Sequence, residues 1–288
     1  MTFEAPPAPA FRRPVTGSIQ AGVEEPGGRS VMVIRTTSDV HRGALGFEDG
    51  ATIRRAAEAA FTLRIPVVVV LASSGADVSE GIASLHGWGG AARALSRCSG
   101  VVPFLTVVTG PALSGPALLV GLSDLTVMTS EAYAYVSGPA MVEEFTGVRI
   151  GVRQLGGAAM HARSSGLCAI EAASESEALE YVELLLGLLP AHTDELPPIL
   201  PVPVTAAPVN DEALRELVPD RASSSYDVRR VAERLADDQQ ILELWTRWAP
   251  QLVTALGRVG GRPVGFVANQ PQALAGTLDI SGSQKGAR

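Results

Sequence analysis

Two short turns rich in small residues are the parts of this sequence most able to do chemistry. Leu113-Ser114-Gly115-Pro116 leads from an apolar run into an aliphatic segment typical of a helix, and Ser73-Ser74-Gly75-Ala76 follows another apolar run. Backbone N–H groups at the start of a helix have no partner within it and carry partial positive charge. Such groups can stabilise an oxygen on which negative charge develops. The turns therefore predict an oxyanion site, although most glycine turns after strands only reverse the chain.

Side-chain catalysis by a serine, a histidine or a metal is less well supported. Residues 112–116 read Ala-Leu-Ser-Gly-Pro, so the Gly-x-Ser-x-Gly pattern of serine hydrolases is absent, and no Asp and His order completes a triad. His161 is expected to be a hydrogen-bonded structural histidine rather than a proton shuttle. Cys98 and Cys168 have no metal-ligand spacing and form no disulfide framework, so we expect no bound metal.

The segments around the turns predict alternating strands and helices. Pro66–Leu71 is a continuous apolar run that suits a strand buried on both faces of a sheet. Further strands are predicted at 30–35, 101–109 and 125–128, and helices at 48–63, 83–95, 116–122 and 174–189. This alternation predicts α/β layers with right-handed crossovers.

Composition shifts divide the chain into four parts. We expect a tail at 1–26, a first domain at 27–200, a Pro-rich linker at 201–222 and a second lobe at 223–288. The second lobe contains a predicted helix at 228–236 and two strands at 252–259 and 263–268, which Gly260-Gly261 would join as a hairpin. Trp245 and Trp248 are three residues apart, so we expect them to share one helical face in the core.

The overall composition argues against several partners. The 288 residues carry a net charge of −7, and binding to nucleic acid would need clustered Lys and Arg. The sequence contains no run of about 18 apolar residues, the length that would predict a membrane span. The N-terminus lacks the apolar core of a signal peptide. Two separate cysteines favour a reducing compartment, so we expect a cytoplasmic protein.

The motifs around the turns occur in one order along the chain and resemble a known family. They include Gly43-Ala44-Leu45-Gly46, Ser74-Gly75-Ala76 with Glu80-Gly81, Gly110-Pro111, Ser114-Gly115, Val136-Ser137-Gly138-Pro139, Leu155-Gly156-Gly157-Ala158, and, in the second lobe, Gly261-Arg262-Pro263-Val264-Gly265 and Ala268-Asn269-Gln270-Pro271. The chain resembles the carboxyltransferase β subunit of biotin-dependent acyl-CoA carboxylases, in the crotonase-like superfamily.

The resemblance implies a fold, a reaction and a set of site residues. The fold would be a crotonase-like α/β, β-β-α spiral with an incomplete second lobe. The reaction would move a carboxyl group from carboxybiotin to the α-carbon of acetyl-CoA or propionyl-CoA. Ser114 and Gly115 would hold the thioester enolate, and the residues flanking acyl-CoA would be Gly43, Ala44, Ser74, Gly75 and Ala76. The resemblance also implies an oligomer, with partners that are a complementary carboxyltransferase chain, a biotin carboxylase and a biotin carrier.

Several departures from the family pattern keep two alternatives open. Ser114 and Ser74 stand where the family usually has Gly, and Asp77 stands where it usually has Arg, which would weaken attraction for the CoA phosphates. The sequence ends at Arg288, before the family's second oxyanion turn, so either it is a fragment or the biotin-side donors are expected from another chain. The alternatives are a biotin-independent decarboxylase of malonyl-type thioesters and a non-catalytic assembly or regulatory subunit.

Overall fold

The computed structural model describes residues 17–202, 211–221 and 224–288. Its strands are β1 (Ile19–Glu24), β2 (Val31–Thr36), β3 (Val67–Ser73), β4 (Phe104–Leu113), β5 (Leu125–Thr129), β6 (Tyr133–Tyr135), β7 (Ile170–Ala172), β8 (Ile241–Leu244), β9 (Leu252–Val259) and β10 (Arg262–Asn269). Its α-helices are α1 (Phe47–Leu63), α2 (Ile82–Cys98), α3 (Gly115–Val120), α4 (Pro139–Thr146), α5 (Val152–Gly156), α6 (Ala158–Met160), α7 (Glu175–Leu188), α8 (Asp211–Leu217), α9 (Val228–Leu235) and α10 (Ile280–Ala287).

The first part of the chain forms one mixed sheet with strand order β1-β2-β3-β4-β5-β7, and β6 pairs with the end of β4. β1 and β2 are antiparallel, whereas β2, β3, β4, β5 and β7 pair in parallel along this order. Parallel neighbours end at the same edge of a sheet. The turns that follow β3 and β4 therefore lie side by side.

The central strand β3 shows why the sheet is buried on both faces. Val67, Val69 and Leu71 pack into a core with α1 and α2. Val68 and Val70 point the other way and pack with α7. Because side chains alternate along a strand, an uninterrupted run of apolar residues supplies both layers. The prediction that 66–71 is a doubly buried strand is confirmed.

Helices α1 and α2 approach each other so closely that glycines are needed at the contact. A Cβ on Gly50 would overlap the backbone of Gly87, and a Cβ on Gly87 would lie 2.8 Å from the Phe47 carbonyl oxygen. These two glycines bring the helix backbones together and fix how α2 sits over the sheet.

The expected tail at 1–26 is wrong for its last part. Residues 1–16 lie outside the described residues, but β1 pairs with β2 along its whole length. The buried Asp49 side chain accepts a hydrogen bond from the Ile19 N–H at 3.0 Å and another from the Gly46 N–H at 2.9 Å. Strand β1 is stabilised by its pairing with β2 and by the Asp49 carboxylate, 30 residues along the chain from Ile19. Neither contact can be predicted from the local pattern of apolar residues.

The second lobe is an antiparallel sheet of order β10-β9-β8. The predicted hairpin is confirmed, since Gly260 and Gly261 join β9 to β10 with φ of 59° and 75°, the left-handed values that a type I′ turn needs. Strand β8 was not predicted. The expected linker contains helix α8, while 203–210 and 222–223 lie outside the described residues. At the end of the chain α10 begins after Asp279, which caps it through the Gly282 N–H.

The segment after β8 packs the second lobe onto the first. Trp245 and Trp248 are each 6% exposed and lie in the same core as α7, so the expected core packing is confirmed. Trp245 has a φ of 53°, outside the helical region, so the expected shared helical face is wrong. The buried Lys285 ammonium donates to the Trp245 and Trp248 carbonyls at 2.8 and 3.0 Å. This contact depends on α10, 37 to 40 residues further along the chain.

Candidate functional site

The two turns predicted to do chemistry lie in contact at the end of β3 and β4. Ser73 and Ala112 are register partners across these strands. A Cβ on Gly75 would lie 3.6 Å from the Leu113 carbonyl oxygen and 3.9 Å from the Ser114 Cβ. The structure thus places two of the predicted site segments side by side.

The third predicted segment, Gly43-Ala44, joins the same cluster. Ser73 Oγ donates to the Gly43 carbonyl at 2.6 Å, and the Ser74 N–H donates to the Arg42 carbonyl at 3.2 Å. The N–H groups of Gly43 and Ala44 are used within their own turn, by Val40 O and His41 O. Gly43 and Ala44 therefore shape the site and do not offer backbone donors to a ligand.

The expected donor Ser114 does not have a free N–H group. Its N–H donates to the Tyr135 carbonyl at 3.0 Å, because β6 runs beside the end of β4. Ser114 also has φ 57° and ψ −120°, a backbone conformation that is strained for any residue with a Cβ. The sequence does not announce this hydrogen bond, since it depends on the pairing of β6.

Two other backbone N–H groups at the junction remain available. Within the described part of the chain, neither the Gly115 N–H nor the Ala76 N–H makes a hydrogen bond. Ser73 and Ala112 are register partners across β3 and β4. Ala76 lies three residues after Ser73, and Gly115 lies three residues after Ala112. Ala76 and Gly115 are therefore the residues at these two strand ends that we consider as donors to a ligand. Sequence analysis had placed Ala76 beside the acyl-CoA rather than in the pair, because finding it requires the β3–β4 register.

Gly75, another predicted residue of the turn after β3, has a structural role. The Gly75 N–H donates to Ser73 Oγ at 3.3 Å, and the Gly75 carbonyl accepts from the Leu45 N–H at 2.8 Å. Gly75 has a φ of 116°, which an L-residue rarely adopts, so glycine is needed for the turn to present Ala76.

A His–Asp pair that sequence analysis did not connect lies beside this turn. His41 Nδ1 is 3.3 Å from Asp77 Oδ2, and Asp77 Oδ1 accepts hydrogen bonds from the Ser79 N–H at 2.9 Å and hydroxyl at 2.6 Å. Mainly because of the Ser79 hydrogen bonds, and further because of His41, the pKa of Asp77 lies below its usual value. The negative charge at 77 is thus held by local partners.

His161 has the structural role that the sequence favoured. Its Nδ1 lies 2.7 Å from Ser165 Oγ and its Nε2 lies 2.8 Å from the Ala134 carbonyl oxygen. Burial lowers the pKa of the imidazole, and both ring nitrogens are occupied. The ring therefore ties the π-helical segment His161–Ser165 to β6 and leaves no nitrogen for a substrate.

Other features bear on ligands and surroundings. In the described ranges, no group of three or more His, Cys, Asp or Glu side chains is placed to hold a metal ion. None of the helices in that part of the chain has both the length and the apolar character to cross a membrane. A cavity of about 280 Å³ lies away from the two turns, between β1, β2, β3 and α7, with Glu24, Arg35 and Glu183 in its wall.

With this geometry established, comparison with known proteins identifies the family. The carboxyl transferase domain family matches residues 4–288. The chain belongs to this family. It is 34% identical over 284 residues to the propionyl-CoA carboxylase beta chain of Saccharopolyspora erythraea, covering 96% of this chain and 52% of that one. It is 34% identical over 268 residues to the propionyl-CoA carboxylase carboxyltransferase subunit of Haloferax mediterranei, with coverages of 93% and 52%.

Solved structures give the same fold. Transcarboxylase 12S, a hexamer solved with hydrolysed methylmalonyl-CoA, matches with a TM-score of 0.90 and 32% identity over 94% of this chain and 53% of that one. A single-chain, multi-domain long-chain acyl-CoA carboxylase matches with a TM-score of 0.80 and 27% identity, over 93% and 26%. The expected crotonase-like α/β fold is confirmed. The chain spans about half the length of the curated relatives it matches.

Proposed function

We propose that this chain of the carboxyl transferase family forms the acyl-CoA side of a biotin-dependent carboxyltransferase, acting on a short acyl-CoA such as propionyl-CoA or acetyl-CoA. The observation that carries the proposal is the pair of available N–H groups at Ala76 and Gly115, at adjoining strand ends. The relatives named as propionyl-CoA carboxylase subunits support the substrate class.

The proposed site works by electrostatic stabilisation. Loss of a proton from the α-carbon moves negative charge onto the thioester oxygen, and the N–H groups of Ala76 and Gly115 would hold that oxygen. Fixed donors of this kind are worth about 10² to 10³ in rate each, because they need no reorganisation when the charge forms. Carboxybiotin on a partner protein would supply the carboxyl group, and the biotin anion left after its release would accept the proton from the α-carbon. The exposed, strained turn at Ser114 would lie at the mouth of the same site.

Apolar surface beside the turns supports a partner chain. Val78 and Ile82 are 90% and 83% exposed just beyond Ala76, and Phe145 is 78% exposed on α4, a helix with no buried residue. Exposed apolar side chains of this size are typical of surfaces that another protein chain covers. We propose that a complementary carboxyltransferase chain covers it within an oligomer that also engages a biotin carboxylase and a biotin carrier. The unpaired, buried thiols of Cys98 and Cys168 suit a reducing cytoplasm.

A reconstitution assay tests this proposal. The protein is combined with candidate partner subunits, ATP, labelled bicarbonate and propionyl-CoA or acetyl-CoA, and acid-stable label in the acyl-CoA product is measured. We expect label only when this chain and a biotin-bearing partner are both present. Absence of product from every combination contradicts the proposal. Loss of CO₂ from methylmalonyl-CoA with the isolated chain would instead favour the decarboxylase, and failure to bind any CoA thioester would favour a non-catalytic subunit.

A further inference from the structure

The indole of Trp88, on α2, is the group that this site leaves unexplained. Among the described residues, Trp88 Nε1 and Thr106 Oγ1 are the buried side-chain polar atoms without a hydrogen-bond partner. A buried donor without an acceptor is costly and uncommon in folded proteins. The Trp245 indole, by contrast, donates to the Gly166 carbonyl at 2.8 Å. An unpartnered indole N–H therefore needs a physical reason.

The position of Trp88 supplies that reason. A Cβ on Gly115 would lie 2.8 Å from both Cδ1 and Nε1 of Trp88, so the N–H edge of the indole is packed against Gly115. Gly115 is the residue whose own N–H has no partner in the described chain. Two unpartnered donors therefore meet at one residue, at the junction of the two turns.

The turn itself cannot supply two donors. Because the Ser114 N–H is held by the Tyr135 carbonyl and Pro116 has no N–H, Gly115 supplies the one backbone donor of residues 114–116. An enolate oxygen carries enough lone pairs to accept more than the two amides at Ala76 and Gly115. A donor arriving from α2 would replace the one that Ser114 has lost.

We propose that the Trp88 indole N–H is a further catalytic donor, which hydrogen-bonds the thioester oxygen of the bound acyl-CoA together with Gly115. The inference rests on the proposed function, because it requires an acyl-CoA at this turn. It assigns two tasks to the same side chain. The ring fixes the close packing that only glycine permits at 115, and the N–H stabilises the developing charge.

The alternative explanation is that Trp88 only packs, and that its unpartnered N–H lowers the stability of the folded protein without any role in catalysis. The two explanations differ when the N–H is removed and an aromatic ring, the smaller phenyl ring of phenylalanine, is kept at this position. If Trp88 only packs, Trp88→Phe should change stability and leave catalysis in the folded enzyme unaltered. If the N–H binds the charged oxygen, Trp88→Phe should lower kcat by about tenfold or more with a small change in KM, since the interaction is strongest in the transition state.

Nuclear magnetic resonance of the indole N–H groups separates these explanations directly. The chain has three tryptophans, and Trp88→Phe assigns the Trp88 indole signal by its disappearance. On titration of the ¹⁵N-labelled protein with propionyl-CoA, followed in parallel by calorimetry, we expect the Trp88 indole proton to move downfield. Trp245, whose indole already bonds Gly166, serves as the internal control and should stay in place.

The outcomes distinguish the inference from the proposed function. Calorimetric binding with a downfield shift at Trp88, and a kcat loss in Trp88→Phe that remains folded at the assay temperature, supports the inference. Binding without movement of the Trp88 signal overturns it and leaves the proposed function intact. If Trp88→Phe retains full kcat in the reconstituted complex, the catalytic role is overturned even where the signal moves. Absence of binding by the wild-type chain overturns the proposed function and the inference together.

Discussion

The turn at Ser114 and the turn from Trp245 to Ala249 both hold non-glycine residues at positive φ, with values of 57°, 53° and 46° at Ser114, Trp245 and Ala249. In the second turn, neighbouring residues form hydrogen bonds with the N–H and carbonyl groups of the turn. The Trp245 N–H donates to Ala169, its indole donates to Gly166, and the carbonyls of Trp245 and Trp248 accept from Lys285.

The first turn is different because its donors are left available. Ser114 is held by Tyr135, but the next N–H, at Gly115, and the indole N–H of Trp88 have no acceptor in the described structure. Backbone strain persists only where surrounding structure enforces it. At Trp245 that structure forms a closed core, whereas at Ser114 it presents unused donors. Strain by itself therefore does not distinguish the two turns; the unsatisfied donors do.

The largest effect should come from removing the Gly115 donor. Gly115→Pro deletes its N–H, and we expect turnover in the reconstitution assay to fall by at least about 10²-fold, or about 3 kcal/mol of transition-state stabilisation. Because a side chain at 115 also meets Trp88, the substitution is repeated in a Trp88→Ala background, with Trp88→Ala alone as reference.

Gly151→Pro is the matched control for this experiment. Gly151 has φ −80°, is exposed, and has no hydrogen bond from its N–H within the described chain, so proline fits there. Equal turnover in Gly115→Pro and wild type would remove this turn from the mechanism.

Changes at the turn from Trp245 to Ala249 should lower the stability of the protein and leave turnover unchanged. Lys285→Met leaves the Trp245 and Trp248 carbonyls buried without their donor, and we expect a loss of about 3 kcal/mol in the free energy of unfolding. Urea denaturation measures this loss. Arg230→Met, which removes an exposed cation from α9, should change stability by less than about 0.5 kcal/mol. Similar losses in both variants would show that Lys285 does not hold the turn.

Relieving the strain at Ser114 should stabilise the protein. Ser114 has φ 57° and ψ −120°, so Ser114→Gly removes a Cβ that strains the backbone. We expect the free energy of unfolding to rise by about 1 kcal/mol, after subtraction of the entropy that glycine adds to the unfolded chain. Ser99→Gly is the control, because Ser99 has φ −55° and gains nothing from glycine. A denaturation midpoint that falls in Ser114→Gly would contradict the assignment of strain.

The last prediction is a pH dependence of stability at Lys285. Burial lowers its pKa from 10.5 to about 8, so the unfolded chain binds more protons than the folded one between these values. Stability contributed by this group should therefore rise with pH from about 8 to 10.5. The measurement is the difference in unfolding free energy between wild type and Lys285→Met across that range. A flat or falling difference would mean that the ammonium is not destabilised by burial.

The sequence predicted the features that depend on local pattern. The doubly buried β3 follows from its uninterrupted apolar residues, and the β9–β10 hairpin follows from Gly260-Gly261. Of the predicted oxyanion pair, the Ser114 N–H is used by the Tyr135 carbonyl and the Gly115 N–H has no partner in the described residues. Ala76, which the sequence placed beside the acyl-CoA, is the second donor of our proposal.

The rest depended on contacts between distant residues. β1 requires Asp49, the bend at Trp245 is held by Lys285, and the engagement of Ser114 requires β6. The Ala76–Gly115 pair required the β3–β4 register, and the packing of Trp88 on Gly115 required the helix crossing set by Gly50 and Gly87. None of these contacts leaves a mark in a short stretch of sequence.

Lys285 is the only lysine among the 288 residues, and its side chain is 1% exposed. Reagents that acylate primary amines should therefore find no side-chain target while α10 stays docked, and should label this one position each time the helix detaches. The rate of labelling would count detachment events of a single helix, with no engineered probe and no background from other lysines.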